Sequence, residues 1–237
     1  MVTSPTPRVA LVTGANRGLG RALAHGLARH GLHAVTTARS NDAAQRAAAE
    51  LRDSGGLASG HQLDVTSPAS VFRAFADTIH EHGRLDVLIN SAAVAIDRNK
   101  TVSAPDMEIV QETMNANVMG AWRCCAQAVP AMRAGGYGRI LNVTSHMGSL
   151  STMESSSPSY RVSKAALNAL TLALAHELGG DNILVNAASP GLADTRLAYG
   201  TATQSAEAAA ESMLWLALLP DSGPTGGIFH GPDRMAW

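Results

Sequence analysis

Two cysteines, adjacent at Cys124 and Cys125, are all the thiols this sequence has. Neighbours in one predicted helix can neither staple distant segments nor supply four ligands to a metal ion, so the pair reads as packing residues and no metal site is expected. Charge of one sign is also missing. With 18 basic and 19 acidic side chains the formal net charge is -1, and the basic residues are scattered, which leaves no footprint for nucleic acid or an anionic membrane surface. No apolar run approaches the roughly 20 residues that span a bilayer. Residues 1–7 lack the basic and apolar regions of a secretory signal. A cytoplasmic protein with a small-molecule partner is therefore expected. Internal repeats, low-complexity tracts and dividing linkers are absent too, so the 237 residues, 46% of them hydrophobic, are read as one domain over 1–237.

What is present is an alternation. Short runs rich in Val, Ile and Leu at 9–12, 33–37, 60–65, 85–90, 139–143, 183–187 and 227–229 predict seven strands. Between them, stretches at helical spacing predict helices near 18–29, 43–52, 69–82, 105–132, 159–178 and 205–218. This is the pattern of an α/β fold, a seven-stranded, mainly parallel, doubly wound sheet with helices on both faces. The least regular stretches, 92–104, 148–158 and 191–203, each follow a predicted strand's C-terminal end, the edge where ligands of such sheets bind. They are read as substrate loops.

Thr13-Gly14-Ala15-Asn16-Arg17-Gly18-Leu19-Gly20 follows the first strand and opens the first helix. A glycine-rich turn there lets backbone N–H groups and the positive end of the helix approach a pyrophosphate, the arrangement of a Rossmann domain. At the end of the second strand, where a carboxylate would hydrogen-bond the adenine ribose of NAD, the chain reads Thr36-Thr37-Ala38-Arg39-Ser40. Arg39, with Arg17 from the glycine turn, could instead meet the 2′-phosphate of NADP. Asp42, just downstream, reads as a helix N-cap. Asp64-Val65 and Asn90-Ser91-Ala92-Ala93 end the third and fourth predicted strands. Asp and Asn at strand ends more often turn the chain than bind, so these support the reading by recurring at one sheet edge.

Tyr160-Arg161-Val162-Ser163-Lys164 carries the chemistry, since four-residue spacing puts Tyr160 and Lys164 on one helix face. A free phenol titrates near about 10, and a neighbouring ammonium would favour phenolate and ease proton exchange with an alcohol oxygen. Only two of the 18 basic residues are lysines, Lys100 and Lys164. A compact, rotatable ammonium suits ribose hydroxyls better than a planar guanidinium does. Ser145, ending the fifth strand, could donate to the same carbonyl oxygen as Tyr160. His146 beside it could face substrate but reads rather as a loop or packing histidine, as no partner acid is identifiable.

The ordered series Thr13 to Gly20, Asp64, Asn90 to Ala93, Asn117, Ser145, Tyr160 to Lys164 and Pro190-Gly191 resembles the short-chain dehydrogenase/reductase family along nearly the whole chain from Arg8. The Tyr160-Arg161-Val162-Ser163-Lys164 form and the ending over 219–227 are most similar to its NADPH-dependent carbonyl reductase branch. The resemblance implies a tetrad: Tyr160 as acid/base, Ser145 polarising the carbonyl, Lys164 holding the ribose and lowering the tyrosine pKa, and Asn117 in a kinked helix. Asn115 is its nearby rival. Gly14, Asn16, Arg17, Gly18, Leu19, Gly20, Arg39, Asp64, Val65, Asn90, Ser91 and Ala92 would hold NADP(H), with Pro190, Gly191 and Thr195 against the nicotinamide. The implied reaction is reduction of a ketone or aldehyde, with secondary-alcohol dehydrogenation as its reverse. A non-enzymatic NADP sensor competes, and the complete tetrad argues against it.

Two features depart from the family pattern. Ala93 stands where the family has glycine, and the 15-residue interval from Ser145 to Tyr160 is longer than common, which would reshape the pocket wall. Apolar residues around most of the helix 165–178 imply cover by a second subunit, a homodimer or homotetramer.

Overall fold

The computed structural model describes residues 6–194 and 202–237. Among these, eight strands form one sheet in the order β3-β2-β1-β4-β5-β6-β7-β8. They are β1 (Val9–Val12), β2 (His33–Ala38), β3 (Leu57–Gln62), β4 (Val87–Asn90), β5 (Gly138–Val143), β6 (Ile183–Ala188), β7 (Ile228–His230) and β8 (Asp233–Arg234). Seven run parallel and β8 pairs antiparallel with β7. The expected count of seven is thus corrected to eight: β8 has two residues, returns through Gly231 (φ 55), and is too short to leave a periodic signal.

Burial explains the strand sequences. β1, β4, β5 and β6 are buried at every position, as central strands covered on both faces must be. Alternate side chains then feed two cores. Ala10 and Val12 join α1 (Gly18–Arg29), α2 (Asn41–Asp53) and α7 (Ala206–Ala217) on one face. Val9 and Leu11 join α3 (Pro68–His82), α5 (Gly120–Gly135) and α6 (Pro158–Glu177) on the other.

Three boundaries differ from expectation for local reasons. β3 begins three residues early and ends at Gln62, leaving Asp64 and Val65 beyond the strand. Gly60 lies inside β3, not at its start, because α2 packs so close that a Cβ there would meet the Ala44 carbonyl oxygen at 2.6 Å. The predicted helix over 105–132 resolves into α4 (Met107–Met114), a π-helical turn at Asn115–Met119 and α5. Gly120 starts α5 where a Cβ would lie 2.8 Å from Val65 Cγ2. Asp42 falls inside the first turn of α2, and Ser40 holds the N-cap position. Cys124 and Cys125 are free and buried in α5, and burial raises both thiols well above the ordinary range.

Candidate active site

The C-terminal ends of the parallel strands open onto a cleft of about 1020 Å³. One end is built by the turn from β1 into α1. Gly14 has φ 68, and a Cβ there would stand 3.2 Å from Ala92 Cα. A Cβ on Gly20 would stand 2.5 Å from the Gly14 carbonyl oxygen. Glycine at both positions lets turn, helix and β4 end close on one another. The Thr13 hydroxyl fixes that junction by accepting from the N–H of Ser91 at 2.9 Å and of Ala92 at 3.0 Å. Its place beside the glycine turn was the only sequence signal for that role.

Gly14, Asn16, Arg17, Gly18, Leu19 and Gly20 line this end, and the first turn of α1 carries no acidic side chain. Arg17 and Arg39 also line it, both exposed, and neither guanidinium has a partner among the described residues. Asp64 and Val65 form the adjacent wall. The Asp64 carboxylate accepts from the Thr66 N–H at 2.9 Å and hydroxyl at 2.7 Å, turning the chain after β3. A glycine cradle at a free helix start, flanked by unpaired cations, fits a phosphorylated dinucleotide.

The other end holds Ser145, Tyr160 and Lys164. Ser145 follows β5, and its Oγ accepts from the Met147 N–H at 3.2 Å, so the hydroxyl proton remains free to be donated. The Lys164 Nζ lies 5.5 Å from the Tyr160 ring centroid and donates to the Val143 carbonyl at 2.8 Å. Burial pulls Lys164 down to about 8. Burial likewise pushes Tyr160 up to about 12, with the Ser145 hydroxyl opposing and the Asp97 charge reinforcing the rise. Lys164 is not among the groups that shift the tyrosine here, and burial raises the phenol where a lowering by lysine was expected.

Two sequence-selected residues lie off the cleft. Asn90 is 4% exposed and faces inward, donating to Asn142 Oδ1 at 2.9 Å and Cys125 Sγ at 3.3 Å. Asn117, in the π-helical turn, grips Val94 by accepting its N–H at 2.8 Å and donating to its carbonyl at 2.9 Å. It also donates to Ser163 Oγ at 3.0 Å. Its rival Asn115 does line the cleft, and its Oδ1 accepts from Arg123 at 2.9 Å. Pro190 and Gly191 close the cleft beyond β6, with Gly191 at φ 67, and Thr195 lies outside the described residues. His146 is exposed on the wall, and partial burial with nearby Arg161 and His230 pushes its imidazole down.

Sequence reasoning passed over Asp97 and Arg161. Arg161 is 5% exposed and ties the wall after Ser145 together, donating to the Ser156 carbonyl at 2.8 Å and to Glu154 Oε2 at 2.5 Å. Nothing in its one-dimensional context separates it from a surface arginine.

The family model described as short chain dehydrogenase matches residues 8–206. Among similar proteins, carbonyl reductase (NADPH) 1 of Rattus norvegicus is 33% identical over 278 residues, covering 97% of this chain and 98% of its own. The short-chain reductase protein NovJ of Streptomyces niveus is 35% identical over 187 residues, 79% of this chain and 70% of its own. A 3-oxoacyl-(acyl-carrier-protein) reductase, FabG, of Pseudomonas aeruginosa is 36% identical over 189 residues, 79% and 74% respectively.

Proposed function

This chain belongs to the short-chain dehydrogenase family of nicotinamide-dependent oxidoreductases, and from that premise we propose that it is an NADP-dependent reductase of ketones or aldehydes. The observation that carries the reading is one cleft with two guanidiniums at the glycine turn, Arg17 and Arg39, that have no partner among the described residues, and the Ser145, Tyr160, Lys164 group at its other end. Gly14 to Gly20 would hold the pyrophosphate, and Arg17 and Arg39 the 2′-phosphate, which a neutral strand end would otherwise leave unpaired. Asp64 and Val65 would flank the adenine half; Ser91, Ala92 and Lys164 the second ribose; Pro190, Gly191 and Thr195 the nicotinamide. Asn90 supports this wall from inside.

When bound, the nicotinamide supplies the hydride. Ser145 and Tyr160 donate hydrogen bonds to the substrate oxygen, polarising the carbonyl, and Tyr160 gives up its proton to it. The phenol is protonated at neutral pH, the form that reduction consumes. Alcohol oxidation uses the same groups in reverse. Asn117 serves by joining the loop at Val94 to the catalytic helix through Ser163. Exposed Trp122 on α5 and Val162 on α6 supply apolar surface for the homodimer or homotetramer we infer.

The test compares NADPH and NADH by calorimetry and by consumption of the reduced nucleotide over a panel of ketones and aldehydes. Arg39→Ala should weaken NADPH about tenfold or more and leave NADH unchanged, the scale of one charge-assisted contact. Tyr160→Phe should bind NADPH normally and lose turnover. Equal affinity for both nucleotides in the wild type would overturn the NADP assignment, and full turnover by Tyr160→Phe would overturn the role of the phenol.

A further inference from the structure

α6, which carries Tyr160 and Lys164, starts without a cap of its own. Ser157, at the N-cap position, is left-handed (φ 48, ψ 57), and its side chain makes no capping hydrogen bond. Pro158, first in the helix, has no N–H to satisfy. The next two N–H groups are those an N-cap side chain ordinarily accepts from. Here they donate to a carboxylate more than 60 residues away: Ser159 N to Asp97 Oδ2 at 2.6 Å and Tyr160 N to the same oxygen at 3.1 Å.

Asp97 is 0% exposed and sits in the loop between β4 and α4, whose neighbours Val94, Ala95 and Arg98 line the substrate half of the cleft. Its second oxygen, Oδ1, is buried with no hydrogen-bond partner among the described residues. A carboxylate kept in such a place is costly unless its position serves something. The Tyr160 backbone is fixed at its other end too, its carbonyl accepting from Ser163 Oγ at 2.7 Å. Ser163 is in turn held by Asn117, which grips Val94 in the Asp97 loop. The loop and the tyrosine peptide thus close a ring of hydrogen bonds.

We propose that Asp97 is a positioning residue for Tyr160: supplied from the substrate wall, it caps the catalytic helix in place of Ser157 and locks the phenol to that wall. This rests on the reading of Tyr160 as proton donor. The titratable and charged groups around the phenol are Lys164 on its own helix, Asp97 from the β4 loop, and Arg98, Glu112 and His146 on the cleft wall. The Asp97 charge also favours the neutral phenol, consistent with its place beside Tyr160.

The experiment compares Asp97→Ala and Asp97→Asn in the full-length protein with whichever carbonyl compound the wild type turns over. Asp97→Ala should lower kcat about tenfold or more, the scale of a misplaced catalytic group, with NADPH Kd unchanged. Asp97→Asn keeps an acceptor oxygen and should restore most of kcat. It also removes the charge, so the Tyr160 phenolate absorbance, read by pH jump with Tyr160→Phe as blank, should titrate at lower pH than in the wild type. Unchanged kcat in Asp97→Ala, equal losses in both variants, or a loss that follows NADPH affinity would overturn the proposal. If the wild type reduces nothing in the panel, it is the tyrosine reading that fails. The phenolate titration then decides the Asp97 contact alone, and an unmoved titration in Asp97→Asn overturns it.

Discussion

Tyr160 and Lys164 feel the same burial in opposite senses: desolvation disfavours whichever form is charged, so the phenol rises and the ammonium falls. With Lys164 drawn down to about 8, its charge is complete below that pH and lost above it. If the ammonium holds the ribose, NADPH affinity of the free enzyme should be constant up to about pH 7 and decline through about pH 8. Lys164→Met should bind more weakly throughout and show no step, and a wild type without the step would remove Lys164 from the cofactor contact. Arg139 poses a different question, since it is a fully buried cation outside the cleft. Its guanidinium donates to the carbonyls of Leu219 at 2.8 Å, Gly138 at 2.7 Å and Asn182 at 3.1 Å, and to Asp221 Oδ1 at 2.8 Å. It also stacks on the Tyr137 ring at 4.0 Å. Arg139→Met fills most of the space but strands those carbonyls, so denaturant unfolding should show a loss of about 1–3 kcal/mol or more. NADPH affinity should be unaffected, since the proposed cleft lies at the opposite ends of the strands.

At the scale of elements, close approach decides where the chain surprises a reader of its sequence. Gly60 is the sharpest case. A methyl group there would meet the α2 backbone at the Ala44 carbonyl, 2.6 Å, and at Gln45 N, 2.9 Å, and neither backbone atom can rotate away. Gly60→Ala should therefore cost about 1–3 kcal/mol, as overpacking does, although alanine would ordinarily suit a strand better than glycine. An unchanged melting temperature would show that α2 is free to shift. The same contact hid the start of β3, because glycine inside a run reads as a boundary. Other elements announced themselves. Ser205 caps α7 by accepting from the Ala208 N–H at 3.1 Å, and the β1 turn carries its glycines at the positions where their missing Cβ atoms are needed. That Ser145, Tyr160 and Lys164 share the cleft was legible, because strand end and helix face fix them locally. Asp97 was not, since a single Asp in an irregular loop says nothing about a helix start 60 residues on. The π-helical turn at Asn115–Met119 was legible only through the resemblance, which implies a kinked helix at Asn117; its own residues give no local signal of where the helix breaks.

Over the whole molecule, the parallel sheet puts its chemistry at one end of the strands and leaves a second set of titratable groups at the other. His33 at the start of β2, Ser59 and His61 on β3, and Glu81 and His82 at the end of α3 converge there. The His33 and His82 rings lie 4.2 Å apart, bridged by Ser59 Oγ at 3.1 and 3.2 Å. Burial lowers both imidazoles; for His33 the His82 ring, Arg52 and His61 add to this, for His82 His61 does, and Glu81 opposes it at each. Lowered values in the folded state fix the sign. Above about 6.5 both states are neutral at these positions and the contribution to stability is complete. As pH falls below that, the unfolded chain binds protons the folded one resists, so stability is lost until the folded imidazoles themselves titrate. His25 and His146, also lowered, act in the same direction. The melting temperature should therefore be level near neutrality and fall from about pH 6.5 downward, before carboxylate protonation begins. His82→Gln removes one of the paired rings and should flatten that fall. A wild-type melting temperature level down to about pH 5, or an undiminished slope in His82→Gln, would show that this histidine cluster does not govern acid stability.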